Sequence, residues 1–331
     1  MTIDVLKPAL KAHGTARQGE YIDAVLKYGS ASKAATKLNV NRRTIDRAIS
    51  AAKRAAIEAG DIAVLDDYPK VLVLDIETAP LLSHIWRMWD EVRNIDQIIT
   101  DWYMLSWSAK WLGSDPKDTM VQSLRMYKGY KPGSENDKAL LTDLHRLLCE
   151  AEYVVAHNGD NFDIKKMNTR FVLNGLAPTT PYRSIDTLKI AKRIFGFTSN
   201  KLDFLARVLL NERKLKHDGL PLWQAVLQGD AGAWSTMEEY NAKDVILLEK
   251  VYLKLRAWDH LHPNMNLTTS NDNMACTVCN SHNVRPTGGT VAAGTQGLYL
   301  GYECADCGHQ MRGRTNIRTL NQKHSGLINA R

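Results

Sequence analysis

No stretch of the sequence approaches the roughly 18 consecutive apolar residues that a membrane-spanning helix needs, and the N-terminal stretch holds no signal-peptide core. Cysteine is scarce, with 5 in 331 residues: four form two CxxC pairs near the C-terminus and Cys149 stands alone. That distribution excludes a secreted disulfide framework and suits a reducing compartment with a bound metal. The expected setting is the cytoplasm of a bacterium or phage-infected host cell, away from membranes. General disorder is excluded too, because 44% of the residues are hydrophobic and 8% aromatic.

The chain is long enough for about two domains, one with a sizeable core. The formal charge is +7, and the excess lies at the ends: 12 basic against 8 acidic residues in 1–70, and 6 against 3 in 261–331, around a balanced middle. A neutral body with two basic ends is what contact with a polyanion requires. Three segments are expected: 1–60, 70–258 and 272–320.

The first segment reads as three short helices, roughly Tyr21–Lys27, Ser32–Leu38 and Arg42–Ala56. Gly29 stops the first, Ser32 and Asn41 are expected caps, and Ala34, Ala35, Leu38, Ile45 and Ile49 form inward stripes. The run GSASKAATKLNVNRRTIDRAI resembles helix-turn-helix modules, whose third helix enters the DNA major groove. That resemblance makes Arg42, Arg43 and Arg47 the expected nucleic-acid contacts. A generic helical bundle with a solvated charged face is the alternative.

In the middle, KVLVLD reads as a buried strand ending on Asp75. Further strands are expected near Tyr103–Trp111, Thr119–Tyr127 and Tyr153–Ala156, with helices near Asn136–Cys149, Phe162–Leu173, Thr187–Phe195, Leu202–Leu210, Leu220–Val226 and Met237–Trp258. The fold class is therefore α/β, a mixed sheet flanked by helices. Asp75 and Glu77 are two apart on a strand and share a face. Asp163 stands at a strand-to-helix boundary, and Tyr240 and Asp244 lie four apart on one helix face. Four carboxylates gathered in one place repel unless divalent cations hold them, and oxygen-only ligands suit Mg²⁺ or Mn²⁺. Two such ions can activate water and stabilise the oxygens of a phosphodiester displacement.

The set Asp75-x-Glu77, Asn158…Asp163 and Tyr240-x-x-x-Asp244 resembles the three exonuclease motifs of the DEDDy branch of DnaQ-like 3'–5' exonucleases, which have a ribonuclease H-like fold, over roughly residues 70–257. The resemblance implies hydrolysis of the terminal phosphodiester at a 3' end of DNA or RNA, releasing nucleoside 5'-monophosphates with two Mg²⁺ or Mn²⁺. It implies that Asp75, Glu77, Asp163 and Asp244 hold metal and that Tyr240 orients the attacking water. Asn158 is expected to place Asp163 or a substrate sugar, and Lys201 to meet a phosphate. Asp186 needs only a turn-forming role. Two rivals stand beside this reading: an RNase H-fold integrase, transposase or endonuclease, and a noncatalytic DNA-binding protein. With no polymerase domain in the sequence, a proofreading role requires a separate polymerase or replication or recombination protein as partner.

The last segment carries Cys276-x₂-Cys279 and Cys304-x₂-Cys307, two knuckles suited to one tetrahedral, structural Zn²⁺. It resembles a zinc ribbon, with His282 and His309 outside the ligand set. Arg285, Arg312, Arg314 and Arg318 give it a basic surface, and Arg312 and Arg314 are the expected backbone contacts to DNA, whether single strand, 3' end or duplex.

Overall fold

The computed structural model describes residues 12, 14–58, 68–87, 94–216, 218–269, 273–294 and 297–327. Trp89, much of the expected linker at 57–69 and the last four residues lie outside that set. The chain divides into two compact units, Met1–Asp67 and Tyr68–Arg331.

In the first unit the helices are α1 (Ala16–Tyr28), α2 (Ala31–Leu38) and α3 (Arg42–Glu58). Thr15 and Gln18 close a capping box on α1, and Gly29, at φ 77°, ends it in a left-handed turn that disfavours a Cβ. Ser30 rather than Ser32 caps α2, because Ala31 is already helical. Asn41 accepts the Arg43 N–H at 2.9 Å and starts α3 as expected. Tyr21, Ala24, Ala34, Ala35 and Ile45 form the core, where two alanines let short helices approach closely. Leu38, expected inward, is 40% exposed, because α2 ends there at Asn39.

The second unit is built on a five-stranded mixed sheet. Its strands are β1 (Val71–Thr78), β4 (Met104–Trp111), β5 (Met120–Ser123), β6 (Tyr153–Ala156) and β7 (Arg183–Asp186), in the order β5-β4-β1-β6-β7. A small separate hairpin, β2 (Leu82–Ser83) with β3 (Ile98–Thr100), follows β1. β1 runs antiparallel to β4 and parallel to β6, and β6 runs parallel to β7. The short strand β7 falls in a stretch that the sequence pattern leaves as loop.

Strand parity separates the two faces of β1. Leu72, Leu74 and Ile76 enter one core with Trp107 and Ala109 of β4, under α4 (Lys138–Glu150) and α5 (Asp163–Leu173). Val71 and Val73 enter the other with α6 (Thr187–Ile194), α7 (Leu202–Leu210) and part of α9 (Ala231–Leu255). Between α7 and α9 lies α8 (Leu220–Leu227). The first turns of α9 contribute Ala233, Trp234 and Met237 to the first core, and its later turns contribute Val245, Leu248 and Val251 to the second. α9 begins at Ala231, six residues before the expected start, because Asp230 caps it by accepting the Ala233 N–H.

On the face that carries Val73 and Asp75, β4 presents Ser106, Ser108 and Lys110, all fully buried. Helix α9 answers this row at Ser106 and at Lys110. Ser106 donates to Asn241 Oδ1 at 3.3 Å, and Lys110 Nζ reaches both oxygens of Glu249 at 2.9 and 2.7 Å. The Gly113 N–H also donates to Glu249, at 2.7 Å.

The C-terminal, cysteine-rich module is a three-stranded sheet of β8 (Val284–Ala293), β9 (Gly297–Cys304) and β10 (Gln310–Arg312), followed by α10 (Leu320–Ser325). His309 Nδ1 sits 2.7 Å from the Ala257 carbonyl, just beyond the end of α9. Among the described residues no helix is long and apolar enough to cross a membrane.

Candidate metal centres

Asp75 and Glu77 occupy the last turns of the pleat in β1, opposite Ser108 and Ser106, and the strand register shifts immediately after Glu77. Asp244 projects from the middle of α9 onto the same face. Carboxylate oxygens of Asp75, Glu77 and Asp244 all lie within 4.8 Å of one another. Asn241, one turn earlier on α9, donates from Nδ2 to Asp75 Oδ2 at 2.6 Å and fixes that carboxylate.

Asp163 reaches the cluster by a different route. After β6 the chain turns through Asn158, at φ 66°, and Gly159, where an added Cβ would lie 2.4 Å from the Ala156 Cβ. This tight passage starts α5 at Asp163, whose Oδ1 accepts the Ile76 N–H at 3.2 Å. Asp163 therefore stands against the backbone between Asp75 and Glu77, outside the three-acid group. Asp186 has the turn-forming role expected of it: it caps α6 through the Leu188 N–H and accepts the Asn158 N–H, each at 2.9 Å.

Burial and mutual repulsion load these acids with protons. Burial first, then the charges of Glu77, Asp163 and Asp244, hold the Asp75 carboxyl well above the usual range. Glu77 is pushed up to about 8, by burial and then Asp244, and Asp163 to about 7, chiefly by burial. Lys214 counters each of these shifts. Three carboxylates that repel one another and offer oxygen donors fit a hard divalent cation.

Lys214 is the functional residue that sequence reasoning missed. Its Nζ forms an ion pair with Asp244 Oδ2 and donates to the Tyr240 hydroxyl at 3.1 Å. Burial works against the charge on Lys214, yet Asp244 and Tyr240 hold its pKa above the ordinary lysine value. It lies between α7 and α8, where the only sequence signal is the basic run RKLK. The same lysine lines an open cleft of about 620 Å³ together with His157, Asn158, Lys192, Ser199 and Lys201. Asn158 and Lys201 are thus cleft residues. His157 is pulled down to about 4 by burial and is neutral near pH 7, and its Nε2 sits 2.9 Å from the Asn200 carbonyl.

The four cysteines come together as well. Cys276 faces Cys307 and Cys279 faces Cys304, each at 3.6 Å between sulfurs, and none is in a disulfide. A tetrahedron with metal–sulfur bonds of about 2.3 Å has edges of about 3.8 Å, so the spacing fits a four-thiolate centre. Each CxxC closes alike: Asn280 (φ 59°) donates to the Cys276 carbonyl and Gly308 (φ 80°) to that of Cys304, both at 2.9 Å. His282 and His309 are engaged with the Met274 and Ala257 carbonyls.

Of the expected nucleic-acid contacts, Asn158 and Lys201 line the cleft with Lys214. Arg43 and Arg47 are exposed on α3, and Arg42 pairs with Asp46 one turn on at 3.3 Å. Arg312 stacks on Tyr299, 4.1 Å from its ring centre, and Arg314 is exposed. Trp107 is core, whereas Trp86 is 89% exposed.

Residues 115–256 match the family model of the RNase H superfamily. Over that stretch the fold is RNase H-like. The match covers β5 through α9, including Asp163 and Asp244, and β1 adds Asp75 and Glu77. It corrects the resemblance to DnaQ-like DEDDy exonucleases. Motifs of two or three residues are weak discriminators on their own, and the same fold hosts many functions. No curated protein matches the chain.

Proposed function

We propose that the protein is a divalent-metal-dependent nuclease that hydrolyses phosphodiester bonds of DNA. The convergence of Asp75, Glu77 and Asp244 within 4.8 Å, on an RNase H-like frame, carries this reading. These three carboxylates hold Mg²⁺ or Mn²⁺, and the bound cations supply Lewis-acid activation of water and neutralise charge on the phosphodiester. Asp163 keeps the β1 backbone and its two acids in place. Tyr240, beside Asp244 and tied to Lys214, orients the attacking water through its hydroxyl. Asn158 and Lys201 meet the sugar-phosphate strand in the cleft.

The two ends of the chain serve substrate binding. The three N-terminal helices act as a helix-turn-helix module, with Arg42, Arg43 and Arg47 toward DNA. The four-cysteine module is a zinc ribbon held by one structural Zn²⁺, with Arg312 and Arg314 on phosphates. Contacts of that kind are salt-sensitive and largely independent of sequence.

The superfamily match favours internal cleavage or strand transfer over stepwise removal from a 3' end. Digestion of 5'- and 3'-labelled single- and double-stranded DNA and RNA in Mg²⁺ or Mn²⁺, with Asp75→Ala as control, tests the reading. Internal fragments or joined ends that vanish in the variant identify an endonuclease or integrase. A mononucleotide ladder from the 3' end identifies an exonuclease on the same frame. A zinc-loaded, folded protein that cleaves nothing is a DNA-binding protein, and the proposal fails.

A further inference from the structure

Lys214 stands where two oppositely charged surfaces meet. Its backbone N–H donates to Asp203 Oδ1 at 3.0 Å, which anchors the base of the side chain on α7. Its ammonium lies on Asp244, whose side chain is 1% exposed and which belongs to the three-acid group. The stem of the same residue lines the cleft that also carries Lys192 and Lys201, both exposed. An acid cluster and a basic cleft thus share one wall, and that wall is a flexible four-carbon chain with a freely turning ammonium.

A divalent cation on Asp244 and an ammonium on the same carboxylate repel each other strongly at such separations. The ammonium has somewhere to go, because its side chain is 23% exposed and the residue lines the open cleft. Resting on the nuclease reading, we propose that Lys214 is an exchangeable cation of the site. It neutralises Asp244 in the metal-free protein, yields that carboxylate to the arriving divalent ion, and then takes a phosphate of the nucleic-acid strand in the cleft. Lys214 thereby couples metal loading to substrate binding.

The test uses zinc-loaded full-length protein at pH 8.5, with Mn²⁺ binding followed by the electron paramagnetic resonance of free Mn²⁺. Lys214→Met should bind Mn²⁺ at least about fivefold more tightly than the wild type, the lower end of ordinary coupling between two sites. Lys214→Arg should stay near the wild type, and Asp75→Ala should abolish binding. A second measurement needs no variant: pulsed acetylation of wild-type amines, read by mass spectrometry, should label Lys214 several-fold faster with Mn²⁺ than without. In Ca²⁺, Lys214→Met should lower the salt slope of single-strand binding by about 0.7, the share of one phosphate contact.

Equal or weaker Mn²⁺ binding by Lys214→Met, or acetylation of Lys214 unchanged by Mn²⁺, overturns the exchange while leaving the nuclease reading in place. Tighter Mn²⁺ binding with an unchanged salt slope overturns the phosphate contact. If neither the wild type nor any variant binds Mn²⁺, the nuclease reading falls too.

Discussion

Asn241 reaches from α9 to Asp75 on β1, and the 2.6 Å bond between Nδ2 and Oδ2 ties two acid-bearing elements together. Asn241 is fully buried, and its own Oδ1 accepts from Ser106. Partners of this kind set the orientation of metal-ligating side chains, and their loss typically costs 10–100-fold in metal affinity or activity. Asn241→Ala should weaken Mn²⁺ binding by about that range and destabilise the fold by roughly 1–3 kcal/mol, since it leaves buried polar atoms unmatched. Titration calorimetry and urea unfolding measure the two effects separately.

The raised carboxyls give the metal-free protein an unusual dependence on pH. Glu77 titrates near 8 in the folded state, above its unfolded value, so the folded state binds more protons in between. Stability contributed by this group is present at low pH and declines as pH rises from about 4.5 to about 8. Melting in chelator that spares the zinc should show that decline, and Glu77→Gln should reduce it, leaving the share that Asp75 and Asp163 contribute. Saturating Mn²⁺ should reverse it, because the cation prefers the ionised acids. A flat wild-type profile in the metal-free protein contradicts the assignment.

Lys110 and Glu249 form a buried ion pair with side chains 1% and 9% exposed. Removing either partner strands a charge in the core, at a cost of about 3–5 kcal/mol. Replacing both by Met and Leu should be far less harmful. Chemical denaturation of the two single variants and the double variant measures the difference.

The four-cysteine cluster predicts one zinc ion per chain, released by mercurial titration of the thiols and detected with a colorimetric chelator. Cys304→Ser should lose it, and Asp75→Ala should retain it. Without the metal, β8–β10 should become sensitive to proteolysis, since a module this small depends on its ion. Retained protease resistance after complete zinc removal refutes the structural role.

The acid-bearing strand was legible because KVLVLD is a short apolar run ending on an acid, and the start of α5 followed from the turn before it. The cysteine knuckles were legible from spacing alone. β7 escaped because four residues beginning with Arg183 carry too little apolar pattern; pairing with the parallel β6, not local preference, makes them a strand. Ser30 was passed over as a cap because Ser32 competes two residues away. Lys214 could not be found, because its place beside Asp244 is created by the packing of α7 against α9 across 30 residues of sequence. The branch within the RNase H-like frame was misjudged because it rested on motifs of two or three residues, each of little weight alone.

The alternation along β1 also sets what kind of change the gene can tolerate. Substituting Leu72 or Val73 alters packing on one side of the sheet and leaves the acids where they are. Deleting or inserting a single codon between Val71 and Glu77 turns Asp75 and Glu77 toward opposite faces relative to the residues before or after the change. The stretch from Pro80 to Asp101, past the register shift after Glu77, carries none of the three clustered acids, so a change of length there does not turn them. Length variation should therefore accumulate in that stretch, while β1 drifts only by point replacement.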